Sequence, residues 1–308
     1  VAPTDQHTSS AGKIGESVAN VLRGFLIGLA ELVPGISGGT VALVVGIYER
    51  ALDAGMQLMG SVKALFTSGE SAGKKARGLD WWLLIPVGVG MIIAVFSMAG
   101  VMHTFVTEYE QTSRALFLGM VAMSLYVPLS MAQPADLKAK PWVWVAFVIS
   151  AVATFFATGF TSSTVADPSY PVIFFAASIA VIALILPGVS GSYLLLAMGL
   201  YAPVMGAVDE RQWDVMIVFA LGAIVGLALF IRIMSYLLSH HRTVTVVVMA
   251  GLMLGSLRAL WPWQDADAAL LAPPSAGEAL AMLGWFALGV AIVGITILAE
   301  RRFHRTAA

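Results

Sequence analysis

Six stretches of this chain are long, apolar and nearly free of charge, at 81–105, 113–131, 142–160, 213–238, 244–261 and 278–298. About 20 apolar residues of helix cross the hydrocarbon core of a bilayer. Inside that core every backbone N–H and C=O must find a partner within the protein, so a spanning segment is a helix or part of a closed barrel. Unbroken apolar runs of this length, without alternation, predict helices. Trp81, Trp82, Trp142, Trp213, Trp261 and Trp263 stand near the ends of these runs, where indole rings favour the interface. Charged residues are 11% of the 308, against about 25% in a soluble domain. The fold class is therefore all-α, polytopic and membrane-embedded.

Composition also excludes chemistry. With no cysteine, disulfides, thiolate metal sites and cysteine nucleophiles are ruled out. The five histidines are scattered without metal-ligand spacing, so neither a metal nor a cofactor is expected. A formal net charge of −1 argues against a nucleic-acid partner. Residues 1–17 and 300–308 are expected to be tails; the first ten residues are polar and lack the basic start and apolar core of a signal peptide.

Two further apolar stretches, 18–48 and 172–201, are broken near their middles by Pro34-Gly35 and Pro187-Gly188. Proline removes a helix hydrogen bond and clashes with the preceding turn. Each stretch is either one kinked span or a re-entrant hairpin. Charge separates the two. With hairpins, one side of the membrane holds Lys13, Lys63, Lys74, Lys75, Arg77, Lys138, Lys140, Arg242, Arg301, Arg302 and Arg305, and the other only Arg114 and Arg211. With full spans the same residues divide six against seven. The positive-inside rule favours hairpins, with both termini cytoplasmic. Residues 52–66 carry apolar side chains at helical spacing and are expected along the cytoplasmic interface or packed on the bundle.

The two broken stretches are copies. Leu32-Val-Pro-Gly-Ile-Ser-Gly-Gly matches Ile185-Leu-Pro-Gly-Val-Ser-Gly-Ser at an offset of 187 − 34 = 153, and Gly46 and Tyr48 match Gly199 and Tyr201. Leu118-Gly-Met-Val-Ala-Met-Ser-Leu resembles Ala250-Gly-Leu-Met-Leu-Gly-Ser-Leu at an offset of 250 − 118 = 132. The domain reading is thus repeat 1 at 18–160 and repeat 2 at 161–299, the second hairpin extending to 207. Each repeat has one hairpin and three spans. An odd span count inverts the second repeat, as in secondary transporters whose broken helices meet near the midplane.

Irregular backbone at membrane depth is tolerated where it is buried in protein or lines a polar cavity. The free N–H groups and positive end of a helix suit an anion. Ser37, Gly38, Gly39 and Thr40 in the first loop, and Ser190, Gly191 and Ser192 in the second, therefore compose an expected phosphate-sized site. Pro34, Gly35, Pro187 and Gly188 form its structural loops. The plainer alternative is that Gly and Ser only permit close helix packing. Glu31 is the one acid deep in the first hairpin, and Leu184 replaces it in the second copy. A carboxyl at membrane depth is a functional candidate by default, here for carrying a proton. Arg50 lies toward the cytoplasmic mouth of the first hairpin and is expected to contact the phosphate. Arg232, inside 213–238, would bind phosphate, pair with Glu31 or snorkel. Arg258 and Arg114 are nearer the outer face.

At Gly28-Leu-Ala-Glu-Leu-Val-Pro-Gly-Ile-Ser-Gly-Gly-Thr, Gly46-Ile-Tyr-Glu, Leu186-Pro-Gly-Val-Ser-Gly-Ser-Tyr and Met198-Gly-Leu-Tyr the chain resembles the bacterial PopT-type polyprenyl-phosphate transporter family. The resemblance implies a flippase that returns undecaprenyl phosphate across the plasma membrane. It extends the binding role to Glu31, to 37–40 and to 190–193, Tyr193 included. A more distant resemblance is to undecaprenyl-diphosphate phosphatases, whose hairpins carry Pro-Gly-x-Ser-Arg-Ser. Here Gly191 stands in place of that arginine, and Ile27 in place of the acid that would precede Glu31. Hydrolysis needs charge stabilisation and an activated nucleophile. The expectation is a scaffold that binds phosphate without cleaving it, with membrane lipids and undecaprenyl phosphate as partners; a phosphatase or a small-anion transporter is the alternative.

Overall fold

The computed structural model describes residues 10–32, 37–67, 78–159, 165, 167–265 and 268–306. These form α1 (Ser10–Glu31), α2 (Gly38–Val44), α3 (Tyr48–Thr67), α4 (Trp81–Glu108), α5 (Glu110–Ser124), α6 (Tyr126–Met131) and α7 (Pro134–Ala139). There follow α8 (Trp142–Ala157), α9 (Tyr170–Ile185), α10 (Gly191–Ala197), α11 (Tyr201–Asp209), α12 (Trp213–His240), α13 (Arg242–Ser256) with a 3₁₀ turn at Leu257–Leu260, and α14 (Ala276–Thr306). α1 begins at Ser10, so helix extends into the stretch read as an N-terminal tail.

Among the described residues, five helical segments are long and apolar enough to cross a membrane: Trp81–Glu108, Glu110–Met131, Trp213–His240, Arg242–Leu260 and Ala276–Ala299. Their outward faces are apolar, with Phe96 87% and Leu280 70% exposed. Apolar surface on this scale belongs in lipid, and the chain is a polytopic helical membrane protein. The expected sixth span is shorter than 142–160. α8 has 16 residues, about 24 Å at 1.5 Å per residue. It closes where Thr158 and Gly159 donate backbone bonds to Thr154 and Phe156.

Hydrophobic burial does not drive helices together in lipid, so close backbone approach must. Four helix pairs achieve it through glycines. In α1 a Cβ at Gly24 would lie 2.0 Å from the Val87 carbonyl oxygen, and one at Gly28 2.8 Å from that of Met91. Contacts advance in the same direction along both chains, so α1 and α4 are parallel. Gly222 and Gly226 of α12 meet Phe174 and Ser178 of α9 in the same parallel sense. Gly119 of α5 meets Phe286 of α14, and Gly251 and Gly255 of α13 meet Phe147 and Ala151 of α8. Ser178 and Ser150 add interhelical hydroxyl bonds, to the carbonyls of Gly222 (2.8 Å) and Val248 (3.2 Å). α13 is the most enclosed of the five long apolar segments; Val246, Val247, Ala250 and Met253 have no exposed surface.

Arg50 shows how the first broken stretch is folded. Its guanidinium bonds Glu16 of α1 at 2.7 Å and also Asp80, which caps α4. The chain therefore leaves this end of the bundle along α1 and has returned to it by Arg50. In the second stretch the two ends also come together. The Val165 N–H bonds the Gly199 carbonyl at 3.0 Å, and the Tyr170 hydroxyl bonds Asp214 at the start of α12. α3 packs on the bundle by one face, with Leu52 and Ala64 buried, Gly55 against Ile231, and Met56 and Leu58 exposed.

The two breaks have matched local geometry. Ser37 and Ser190 precede seven-residue helices at φ/ψ of −105/130° and −103/127°. Each helix ends in a left-handed glycine, Gly46 at φ 72° and Gly199 at φ 69°. The residue after it donates back, Ile47 to Ala42 (3.0 Å) and Leu200 to Leu195 (2.9 Å). A positive φ costs glycine little and other residues more.

Candidate functional site: two interlocked helix breaks

The breaks meet tip to tip. The Ser37 hydroxyl accepts from the Gly39 N–H (3.2 Å), capping α2, and donates to the carbonyls of Leu184 (2.8 Å) and Leu186 (3.2 Å) at the end of α9. One small side chain thus serves a helix start in one break and a helix end in the other, whose last carbonyls lack intrahelical partners. The Thr40 hydroxyl accepts from the Gly188 N–H at 3.1 Å. Gly39 makes room for the second break, since a Cβ there would lie 2.0 Å from the Ile185 oxygen. Gly188, at φ +89°, lies against α13, where its Cβ would fall 2.5 Å from the Met253 Cα.

Glu31 ends α1 and folds onto the start of α2. Its Oε1 accepts from the Gly38 N–H at 3.0 Å. A side chain at 38 would overlap that oxygen, with Cβ 2.2 Å away. The positive end of α2, expected to receive a substrate anion, is thus already held by the protein's own carboxyl. Among the described residues no carboxyl bonds the start of the helix in the second break. Leu184 stands at the matched position, and Ser190 makes no side-chain cap bond. Its hydroxyl pairs with that of Ser192 at 3.0 Å. Two hydroxyls bonded to one another use one of their two hydrogens, which leaves a donor for a further acceptor. Sequence copies therefore carry unequal chemistry.

Gly191 is packed as tightly as the first break. A Cβ there would lie 2.4 Å from the Ala180 oxygen and 3.1 Å from the Leu184 Cβ. The arginine of the phosphatase motif has no space at this position.

The structure does not bring the expected arginines to the breaks. Arg50 is engaged with Glu16 and Asp80, and these carboxylates raise its pKa further. Arg232 is exposed on α12. Pro34, Gly35 and the side chain of Tyr193 lie outside the described residues. Sequence reading also missed partners that only packing could reveal: the carbonyls of Leu184 and Leu186, Met253, and the two-bond pair of Arg242 with Glu49 (2.9 and 2.7 Å). Among the described residues no group of three or more His, Asp or Glu converges as a metal site.

An apolar groove with a volume of about 170 Å³ reaches the first break. Leu26, Ala30, Thr40, Val41, Phe117 and Val293 are among its walls, drawn from α1, α2, α5 and α14. Thr40 belongs both to this groove and to the interlock.

Parallel helix pairs closed around two interlocked breaks define a helical membrane protein with polar backbone at its centre. The chain belongs to the VCA0040-like family, described as undecaprenyl phosphate translocase-like, whose model matches residues 27–278. It is 32% identical over 257 residues to a polyprenyl-phosphate transporter of Vibrio cholerae, covering 83% of this chain and 81% of that protein. It is 28% identical over 259 residues to a polyprenyl-phosphate transporter of Staphylococcus aureus, covering 79% and 86%. No solved structure matches the chain.

Proposed function

We propose that this protein is a flippase that moves a polyprenyl phosphate, undecaprenyl phosphate in particular, across the bacterial plasma membrane. One observation carries the reading. A polar centre with a spare hydroxyl donor, at Ser190 and Ser192, is interlocked through Thr40 with an apolar groove. A lipid phosphate has those two halves, a headgroup that needs donors and a tail that needs apolar surface. The relatives' names point the same way.

In this reading both broken stretches are re-entrant hairpins of an inverted repeat, entering from opposite faces, with both termini cytoplasmic. The matched φ/ψ at Ser37 and Ser190 and the parallel pairing of α1 with α4 and of α9 with α12 support it. Of the two breaks, the second receives the phosphate first, at Ser190, Gly191 and Ser192. The headgroup then competes with the Glu31 carboxyl for the Gly38 N–H, and protonation of Glu31 would release that bond. Transport is thereby coupled to a proton. The protein is not an enzyme in this reading; the crowding at Gly191 supports binding without cleavage.

The test is headgroup movement in proteoliposomes, scored by access of an externally added phosphatase to labelled undecaprenyl phosphate. Protein-dependent movement of the phosphate but not of the free alcohol is expected. Release of inorganic phosphate from undecaprenyl diphosphate by the purified protein, abolished in Ser190→Ala, would instead establish the enzyme.

A further inference from the structure

The two arginines at either end of the central helix differ in one respect. Arg242, at the start of α13, is held by both oxygens of Glu49. Arg258, in the turn beyond the other end of α13, takes part in none of the ion pairs among the described residues. Its guanidinium lies over the Phe155 ring, 5.3 Å from the centroid, and its Nη2 donates to the Ala268 carbonyl at 3.0 Å. Ala268 adopts φ 57°, a costly backbone for alanine, in the loop that supplies this bond. Gln264 fixes the turn by donating to the carbonyls of Arg258 and Trp261, both at 2.9 Å. Gly159 leaves the space that the guanidinium fills, since a Cβ there would lie 1.7 Å from Nη1. That Nη1 is itself buried and has no hydrogen-bond partner.

Arg258 is partly buried, makes no ion pair among the described residues, and keeps one sealed N–H group unpaired; an unmade bond to a charged donor is expensive. Here the ring, the strained carbonyl and the glycine hold such a cation in place. Its position relates it to the interlock. Met253, five residues earlier, packs against Gly188, so Arg258 lies about 8 Å farther along the axis at 1.5–2.0 Å per residue. Leu260 of the same turn clusters with Ala30, next to Glu31.

We propose that Arg258 is an anion seat for a phosphate monoester, occupied before the phosphate reaches the paired breaks from the end of the bundle opposite Arg242. The inference rests on the flippase reading and adds to it the group that captures the headgroup. The planar guanidinium, with Nη1 free, suits a phosphate oxygen.

Equilibrium binding to the protein in nanodiscs tests this, with farnesyl phosphate, farnesol and inorganic phosphate as probes. Wild type should prefer farnesyl phosphate to farnesol. Arg258→Gln should weaken farnesyl phosphate by about tenfold or more, the loss of one charged hydrogen bond, and leave farnesol unchanged. If Arg258→Gln does not fold, Arg258→Lys keeps the charge without the fork, and should still lose about threefold or more. Preference for the phosphate retained in these variants overturns the seat while leaving the flippase reading standing. Absence of any preference in wild type overturns both. Inorganic phosphate competing as strongly as farnesyl phosphate would assign the seat to the free ion and overturn its lipid role.

Discussion

The Thr40 hydroxyl accepts a hydrogen bond from the Gly188 N–H at 3.1 Å, joining two helix breaks 148 residues apart in the chain. Gly188 N–H is buried, and lipid offers no replacement acceptor. Thr40→Val keeps the shape and removes the acceptor. It should destabilise the protein by about 1–3 kcal/mol, the cost of a stranded buried donor, whereas Thr40→Ser should lose less than about 1 kcal/mol. Thermal unfolding in detergent measures both, and equal melting temperatures for wild type and Thr40→Val would remove the interlock from the account.

Glu31 separates its capping role from its charge. Glu31→Gln retains an oxygen for the Gly38 N–H and cannot exchange a proton, so it should fold like wild type while its transport ceases to respond to a pH gradient. Glu31→Leu, the residue of the second copy, also loses the cap and should cost about 0.5–2 kcal/mol in stability. Transport in proteoliposomes with and without a gradient decides the first point. An unchanged gradient response in Glu31→Gln would falsify proton coupling through this residue.

Gly191→Arg restores the phosphatase motif in sequence. The Ala180 carbonyl lies where the first side-chain atom would go, so this variant should lose folded protein rather than gain hydrolysis. Yield by size-exclusion chromatography and phosphate release from undecaprenyl diphosphate report on each. A folded, hydrolytic Gly191→Arg would contradict the packing described here.

Thr296 borders the apolar groove from α14 and is only partly buried. Thr296→Trp should partly fill the groove, lowering undecaprenyl phosphate movement by about tenfold (1.4 kcal/mol) with little loss of melting temperature. Transport at the wild-type rate in this variant would place the prenyl tail elsewhere.

Much of this arrangement was legible from residues alone. Apolar run length marked the helices at 81–105 and 213–238, because lipid leaves a long apolar segment few options. Pro34-Gly35 and Pro187-Gly188 marked the breaks, and Gly46 and Gly199 recur where each short helix turns left-handed. The chain length of α8 was less legible: residues 142–160 are apolar throughout, and its end is set by the turn at Thr158 and Gly159, beside which Arg258 lies. The placement of the arginines was less legible for a related reason. A charge count says which side a residue favours, yet Arg50 finds Glu16 and Asp80, and Arg232 turns outward, because side-chain direction depends on helix rotation.

The sequence by itself determined a helical membrane protein, two duplicated helix breaks and the family to which they belong, since those follow from local chemistry repeated along the chain. Only the tertiary structure decided that the copies do unequal work. Ser37 and Ser190 are the same residue in the same backbone conformation, but Ser37 is held by the carbonyls of Leu184 and Leu186 while Ser190 pairs with Ser192. Glu31 closes one helix start, whereas Leu184 stands at the matched position of the other, where no described carboxyl takes its place. Hydrogen-bond partners are settled by which backbones come within about 3 Å, and that depends on how the helices pack.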